Sequence, residues 1–295
     1  MRRSLRLGSL WAAVFSLVAA ASVACAAMPD AVKGSFERTL KVTGLADLDV
    51  NTGSGNITVL PGDDSTVRII GTIHAWARGG DGEASARERV RRLQANPPIE
   101  QNGNIIRVGH ILERELQRNV AISYEITLPV DSRVRSNTGS GDINLSGIRG
   151  MVGANTGSGN ITIDSGTVEV RASTGSGNID ITQAGGDVRA STGSGSIRAS
   201  GLTGALRAST GSGNITAAGK PGRSWDLDTG SGNIVARLDA NAGFEVDAHT
   251  GSGSIQSSHP VTMLGTFGKD TLRGTVRGGG PRLLLRTGSG SIRLE

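Results

Sequence analysis

Val170-Arg171-Ala172-Ser173-Thr174-Gly175-Ser176-Gly177-Asn178-Ile179-Asp180-Ile181 is the stretch that decides the fold. Its centre, Thr-Gly-Ser-Gly followed by Asn, Ser or Asp and then Ile, occurs nine times. The Thr of each phrase stands at Thr52, Thr138, Thr156, Thr174, Thr192, Thr210, Thr229, Thr250 and Thr287. From Thr138 to Thr210 the step is 18 residues; it then lengthens to 19, 21 and 37. A fixed period of this size, punctuated by turn residues, marks a solenoid whose units stack on their neighbours.

Aligning the phrases separates the side chains by type. The fifth residue after the Thr is Ile in every unit, from Ile57 to Ile292. Two residues further lie Val59, Leu145, Ile163, Ile181 and Leu294, with Ala or Ser in the other units. The fourth residue before the Thr is Leu, Val or, once, Trp225, and the second before it is mostly Ala, Leu or Val. Apolar residues two apart, rich in β-branched types, predict strands with one buried face. Each unit reads as two short strands and two turns, one turn at the glycine phrase and the other, in the Thr174 unit, at Gln183 to Gly186. One such pair cannot bury its Ile face alone, whereas coils stacked about 4.8 Å apart bury it continuously. The expected class is therefore all-β: a parallel β-helix, or β-solenoid, with rungs of about 18 residues. Its expected hand is right, the default for parallel crossovers.

Other architectures of this period fit poorly. A triangular helix of hexapeptides needs an aliphatic residue every six positions, but Ile161 is followed at that step by Thr167 and Ser173. A calcium β-roll needs carboxylates in its glycine turns, and only Asp142 supplies one after the phrase. A phosphate-cradling loop needs a following Gly-Lys-Ser/Thr and a helix, and neither accompanies the phrase.

The repeat is interrupted between Thr52 and Thr138. Strands are expected over 36–50, 57–60, 67–76, 105–111 and 120–130. A helix is expected over 83–95, with Ala86, Val90 and Leu93 on one face, ended by Asn96-Pro97-Pro98. This insert is expected to cover an open end of the solenoid, where bare strand edges invite pairing with other chains. Regular rungs run from Arg133 to about Val235, and 133–295 as a whole carries the repeats. Leu283 to Glu295 resumes the pattern as the expected last rung, with Arg293 and Glu295 blunting the final edge.

Residues 1–26 read as a signal peptide: Arg2, Arg3 and Arg6 precede the apolar run Leu7 to Ala24 and a small-residue cleavage region. A single β-solenoid domain, 27–295, follows. Cys25 is the sole cysteine, so no intrachain disulfide forms. Ser22-Val23-Ala24-Cys25 makes Cys25 a candidate lipidation site, and cleavage after Ala26 is the competing route. Loss of residues 1–26 removes three arginines and no acid, lowering the formal charge from +5 to +2. With few aromatics and no helical reading element, this is no nucleic-acid binder. Any membrane contact is expected only through a lipid anchor.

The nine phrases, the inserted helix, Tyr124-Glu125-Ile126-Thr127-Leu128-Pro129 and the ending Arg286-Thr-Gly-Ser-Gly-Ser-Ile-Arg-Leu together resemble one family over roughly 35–295. It is the bacterial domain of unknown function 4097, labelled an adhesin with β-strand repeats. The resemblance implies a β-helical envelope or surface protein, placed in the periplasm, at the outer membrane or on the cell surface. It brings no enzyme activity, cofactor or catalytic residue.

Three readings of function follow. Three residues before the Thr, on the outward parity, stand Arg135, Arg171, Arg189 and Arg207. The last three lie on consecutive rungs, and stacked like charges are unfavourable unless screened or bound. Arg171, Arg189 and Arg207 are thus the candidate ligand-binding residues, for an anionic envelope polymer, with Glu169 and Asp187 partly neutralising them. Another envelope protein is the other partner class. The enzymatic alternative is a polysaccharide lyase or hydrolase, which needs clustered carboxylates in a groove. The best cluster is Asp226 and Asp228, with Asp247 and His249 expected on the next rung; solvated strand charges explain it equally. His74, His110, His249 and His259 lack metal-ligand spacing. The reading is a non-enzymatic structural or adhesin-like binding module, without cofactor or metal.

Overall fold

The structure is a computed structural model that describes residues 31–78, 82–164, 166, 169–263 and 268–295. Residues 1–26 and Cys25 lie outside the described residues. Two sheets, one of 12 strands and one of 13, run the length of the repeats. Each coil gives one strand to each sheet. In the Thr174 coil, Glu169–Ser176 belongs to the first sheet and Ile179–Thr182 to the second. Neighbouring coils pair in parallel and in exact column register, Thr156 beside Thr174 and Ile161 beside Ile179. This is the all-β parallel solenoid that the period of the phrases predicts.

The four apolar columns meet between the sheets. Ile57, Ile143, Ile161, Ile179, Ile197, Ile234 and Ile292 have no exposed surface. Trp225 is equally buried in the column of Val170, Val188 and Leu206, its indole N–H donating to the Gly204 carbonyl at 3.2 Å. Burying each Ile contributes about 1.5–3 kcal/mol against the entropy of ordering its strand.

The phrase that bends each coil also ties it to the next. The Thr of the phrase is buried in every unit from Thr138 to Thr287. The Thr174 hydroxyl donates to the Gly159 carbonyl of the preceding coil at 3.0 Å, and Thr156, Thr192 and Thr210 repeat this geometry. The residue before the Ile forms a second ladder: Asn160 Oδ1 accepts from the Asn178 amide, and Asn178 Oδ1 from the Ser196 amide, at 3.0 and 2.9 Å. Side chains thereby satisfy corner backbone groups that the sheets leave over. Gly177 has φ +156°, and a Cβ there would run into the Gly159 carbonyl.

The insert covers one end, as expected. Beyond Ile57–Pro61 the second sheet continues through Val120–Leu128, Thr66–Ala75 and Val32–Lys41. The last two pairings are antiparallel. Helix Glu83–Ala95 buries Ala86, Arg89, Val90 and Leu93. Two expectations need correction here. Residues 36–50 are not one strand, because the chain turns between Val32–Lys41 and Asp47–Ser54 and sends them to different sheets. A second helical turn, Arg114–Gln117, joins the single expected helix.

The opposite end departs further. Leu283 to Glu295 does not form the terminal rung. Arg282–Ser289 lies between Trp225–Ser231 and Phe244–Ser252, parallel to both. Ile292–Leu294 lies likewise between Ile234–Leu238 and Ile255–Ser257. The outer edge of the first sheet is instead made by Thr271–Val276, antiparallel to Phe244–Ser252, and Thr262–Met263 beyond it. Arg293 and Glu295 therefore blunt no edge. Glu295 pairs with Arg237 on the neighbouring coil at 3.1 Å. Packing decides the order: the last coil brings Leu283, Leu285, Ile292 and Leu294, all buried, whereas the Thr250 coil has Ser257 exposed and Ile255 half-buried. The coil with the polar core position takes the end.

Candidate functional site: an arginine row on the outer face

Alternation along the first sheet sets the site. With Val170, Ala172 and Thr174 turned inward, Arg171 and Ser173 must face solvent. The next two coils repeat the arrangement, so Arg171, Arg189 and Arg207 are direct neighbours in register, at a spacing of about 4.8 Å. Ser173, Ser191 and Ser209 form the parallel column beside them. Together they line an open depression of about 280 Å³. Gly153 interrupts the row before Arg135, which sits 3.8 Å from Asp47.

The three guanidiniums are unequally neutralised. Glu169 Oε1 receives both Arg171, at 2.8 Å, and Arg189, at 2.9 Å. Asp187, expected to share this task, pairs with Arg223 at 3.0 Å, and its other oxygen accepts from the Ala205 amide at 3.1 Å. Arg207 has no carboxylate partner among the described residues. One carboxylate thus serves two of the three cations, and the third has none. The row ends at Asp226, in register with Arg207.

The carboxylate cluster is not assembled as expected. Asp247 and His249 do not lie on the rung next to Asp226 and Asp228, because the inserted coil separates them with Leu284 and Arg286. Arg286 approaches Asp226 at 3.4 Å and Asp228 at 3.6 Å. Burial pushes the Asp247 carboxyl up, but hydrogen bonds from Arg282 and Arg273 outweigh it and hold Asp247 below the usual carboxylate range. His249 Nδ1 lies 3.3 Å from the Thr271 hydroxyl. Each of these three carboxylates lies beside an arginine. Among the described residues no group of His, Cys, Asp and Glu could hold a metal ion, and no helix is long and apolar enough to cross a membrane.

Sequence reasoning missed the structural work of the Thr and Asn columns, although the presence of Thr in all nine phrases was a signal. It also missed Arg223, whose partner lies two coils away and outside the row.

The fold and surface define a two-sheeted parallel β-solenoid with a short cationic row on one outer face. The chain belongs to the Toastrack DUF4097 family, whose profile matches residues 39–295. Solved structures to which the chain is similar include a candidate adhesin from Bacteroides fragilis, at 12% identity over 89% of this chain and 97% of that one, with a TM-score of 0.36. A candidate cell-adhesion protein from Clostridium sporogenes shares 12% identity over 88% and 99%, with a TM-score of 0.30. A candidate adhesin from Parabacteroides distasonis shares 10% over 88% and 97%, with a TM-score of 0.31. No curated protein matches the sequence.

Proposed function

We propose that this chain is an exported, non-enzymatic β-solenoid that serves as a structural and adhesive binding module of the bacterial cell envelope. Its ligand site is the row Arg171, Arg189 and Arg207, and the ligand is an anionic envelope polymer. The observation that carries this is the in-register stack of three guanidiniums, two of which share the Glu169 carboxylate while Arg207 has no carboxylate partner among the described residues. A polymer with regularly spaced anionic groups relieves that repulsion, and the serine column beside the row supplies hydroxyls to its sugars. The basic n-region and apolar run at the N-terminus support export. Attachment to a membrane would follow from acylation of Cys25, which the mass of the mature N-terminus or sensitivity to globomycin decides.

The test is retention of the purified protein on immobilised polygalacturonate against uncharged dextran. Retention on polygalacturonate alone is expected at low ionic strength, with release as salt approaches about 0.15 M, where the screening length falls to about 8 Å. Replacing Arg171, Arg189 and Arg207 together with Ser should abolish it. Salt-independent retention, or retention unchanged in the triple variant, overturns the assignment. Turnover of polysaccharide by the purified protein, lost in Asp228→Asn, would instead support the hydrolase or lyase reading.

A further inference from the structure

A second depression, of about 670 Å³, lies at the junction of the insert with the first coils. This volume is within the range of small-molecule sites, about 300–1,000 Å³. Its floor is the outer column that precedes the Thr: Asn51, Asn137 and Asn155, in register on three adjacent coils. Its wall is the segment that runs from strand Ile105–Val108, through the helical turn Arg114–Gln117, into Val120–Leu128. That segment contributes Ile111, Leu116 and Val120.

Three features point to a ligand. No Asp, Glu, Lys, Arg or His is among the lining residues. The amides are only partly used: Asn51 Nδ2 donates to Asp49 Oδ1 at 2.8 Å and lies 2.8 Å from His110 Nε2, and Asn155 Nδ2 donates to Asn137 Oδ1 at 3.0 Å, which leaves Asn137 Nδ2 and Asn155 Oδ1 without a hydrogen-bond partner among the described residues. Tyr124, also part of the lining, is 2% exposed, and its hydroxyl is buried with no hydrogen-bond partner. Burial also raises the Tyr124 pKa, so the hydroxyl remains a donor at any physiological pH. A buried, unpaired hydroxyl is costly, and a ligand that accepts from it recovers that cost.

We infer that this depression is a binding site for an uncharged saccharide, held by the Asn51–Asn137–Asn155 column and the Tyr124 hydroxyl against the apolar wall of Ile111, Leu116 and Val120. An anionic ligand finds no cationic side chain among the lining residues. A ligand rich in hydroxyls matches the mixed donors and acceptors of the amides, and the C–H face of a pyranose ring matches the aliphatic wall. Successive Asn residues are about 4.8 Å apart, comparable to the advance of an extended glycan by one pyranose residue. The site is separate from the arginine row in composition, although Asn155 borders both depressions.

The experiment is calorimetric titration of the purified protein with chitotriose and maltotriose, with trigalacturonate as the charged comparison. Saturable binding of at least one neutral trisaccharide is expected. Tyr124→Phe should weaken it about tenfold while leaving the melting temperature unchanged or higher, a combination that a purely structural hydroxyl would not produce. Asn137→Leu with Asn155→Leu should abolish binding and carries the test if Tyr124→Phe does not fold. Replacing Arg171, Arg189 and Arg207 with Ser should leave neutral binding intact, which separates this site from the arginine row. The inference is overturned if neither neutral trisaccharide binds at about 10 mM, if only trigalacturonate binds, or if binding survives in both the Tyr124 and the Asn variants.

Discussion

At the scale of single residues, the corner phrase has divided labour. Ile179 supplies apolar burial, Thr174 ties one coil to the one before it, Asn178 continues the amide ladder, and Gly177 lets two backbones approach. Substitutions in one phrase should therefore differ by mechanism. Thr174→Val keeps the shape and removes the donor to Gly159, for an expected loss of about 1 kcal/mol in chemical denaturation. Gly177→Ala forces a side chain onto a left-handed backbone and into the Gly159 carbonyl, so its loss should be larger, at least about 2 kcal/mol. An equal or reversed effect would mean that the glycine is present for composition and not for close approach. Ser257 shows how one residue can set the order of coils. It stands where the other units have an aliphatic side chain, and the solenoid leaves that position exposed at an end.

At the scale of elements, the inserted C-terminal strand is the point where the coil order departs from the chain order. Asp247 fastens this region by pairing with Arg273 of the outer antiparallel strand at 3.1 Å and with Arg282 of the inserted strand at 2.8 Å. Its native pKa lies below the unfolded value, so the stabilisation is fully present above about pH 4. It is lost as the pH falls through the depressed native pKa. Amide protection factors in Thr271–Val276 should fall on acidification before those in the central coils do. Asp247→Asn should raise exchange there at neutral pH and flatten its acid dependence. An acid response in this strand that is the same in Asp247→Asn would remove Asp247 from the role.

At the scale of the whole molecule, stability is a chain of neighbour-to-neighbour interfaces. Coils pair only with adjacent coils, so a defect in the middle breaks the stack into two blocks. Ile179→Asp places a charge at a fully buried position in the central coils. It should unfold its own rung, lower the melting temperature and split one thermal transition into two, one for the capped block and one for the C-terminal block. An unchanged melting temperature would contradict the inward placement of the Ile column. Capping follows the same logic. The insert extends one end with antiparallel strands and a helix, and the strands 271–276 and 262–263 extend the first sheet at the other.

Periodicity by itself determined the solenoid, the two strands per coil, the inward columns and the outward arginine row. Each of these depends on residues at fixed short spacing, where side-chain parity leaves one buried arrangement. The inserted helix was legible for the same reason, through its apolar face at helical spacing. Only the tertiary structure decided the position of the final coil, the pairing of Asp187 with Arg223, and the wall that turns the Asn column into a pocket. Those features join residues that are distant along the chain. The local pattern of Leu283 to Leu294 is equally compatible with stacking at the end or between two earlier coils, and the choice rests on which exposed core row each arrangement leaves to water.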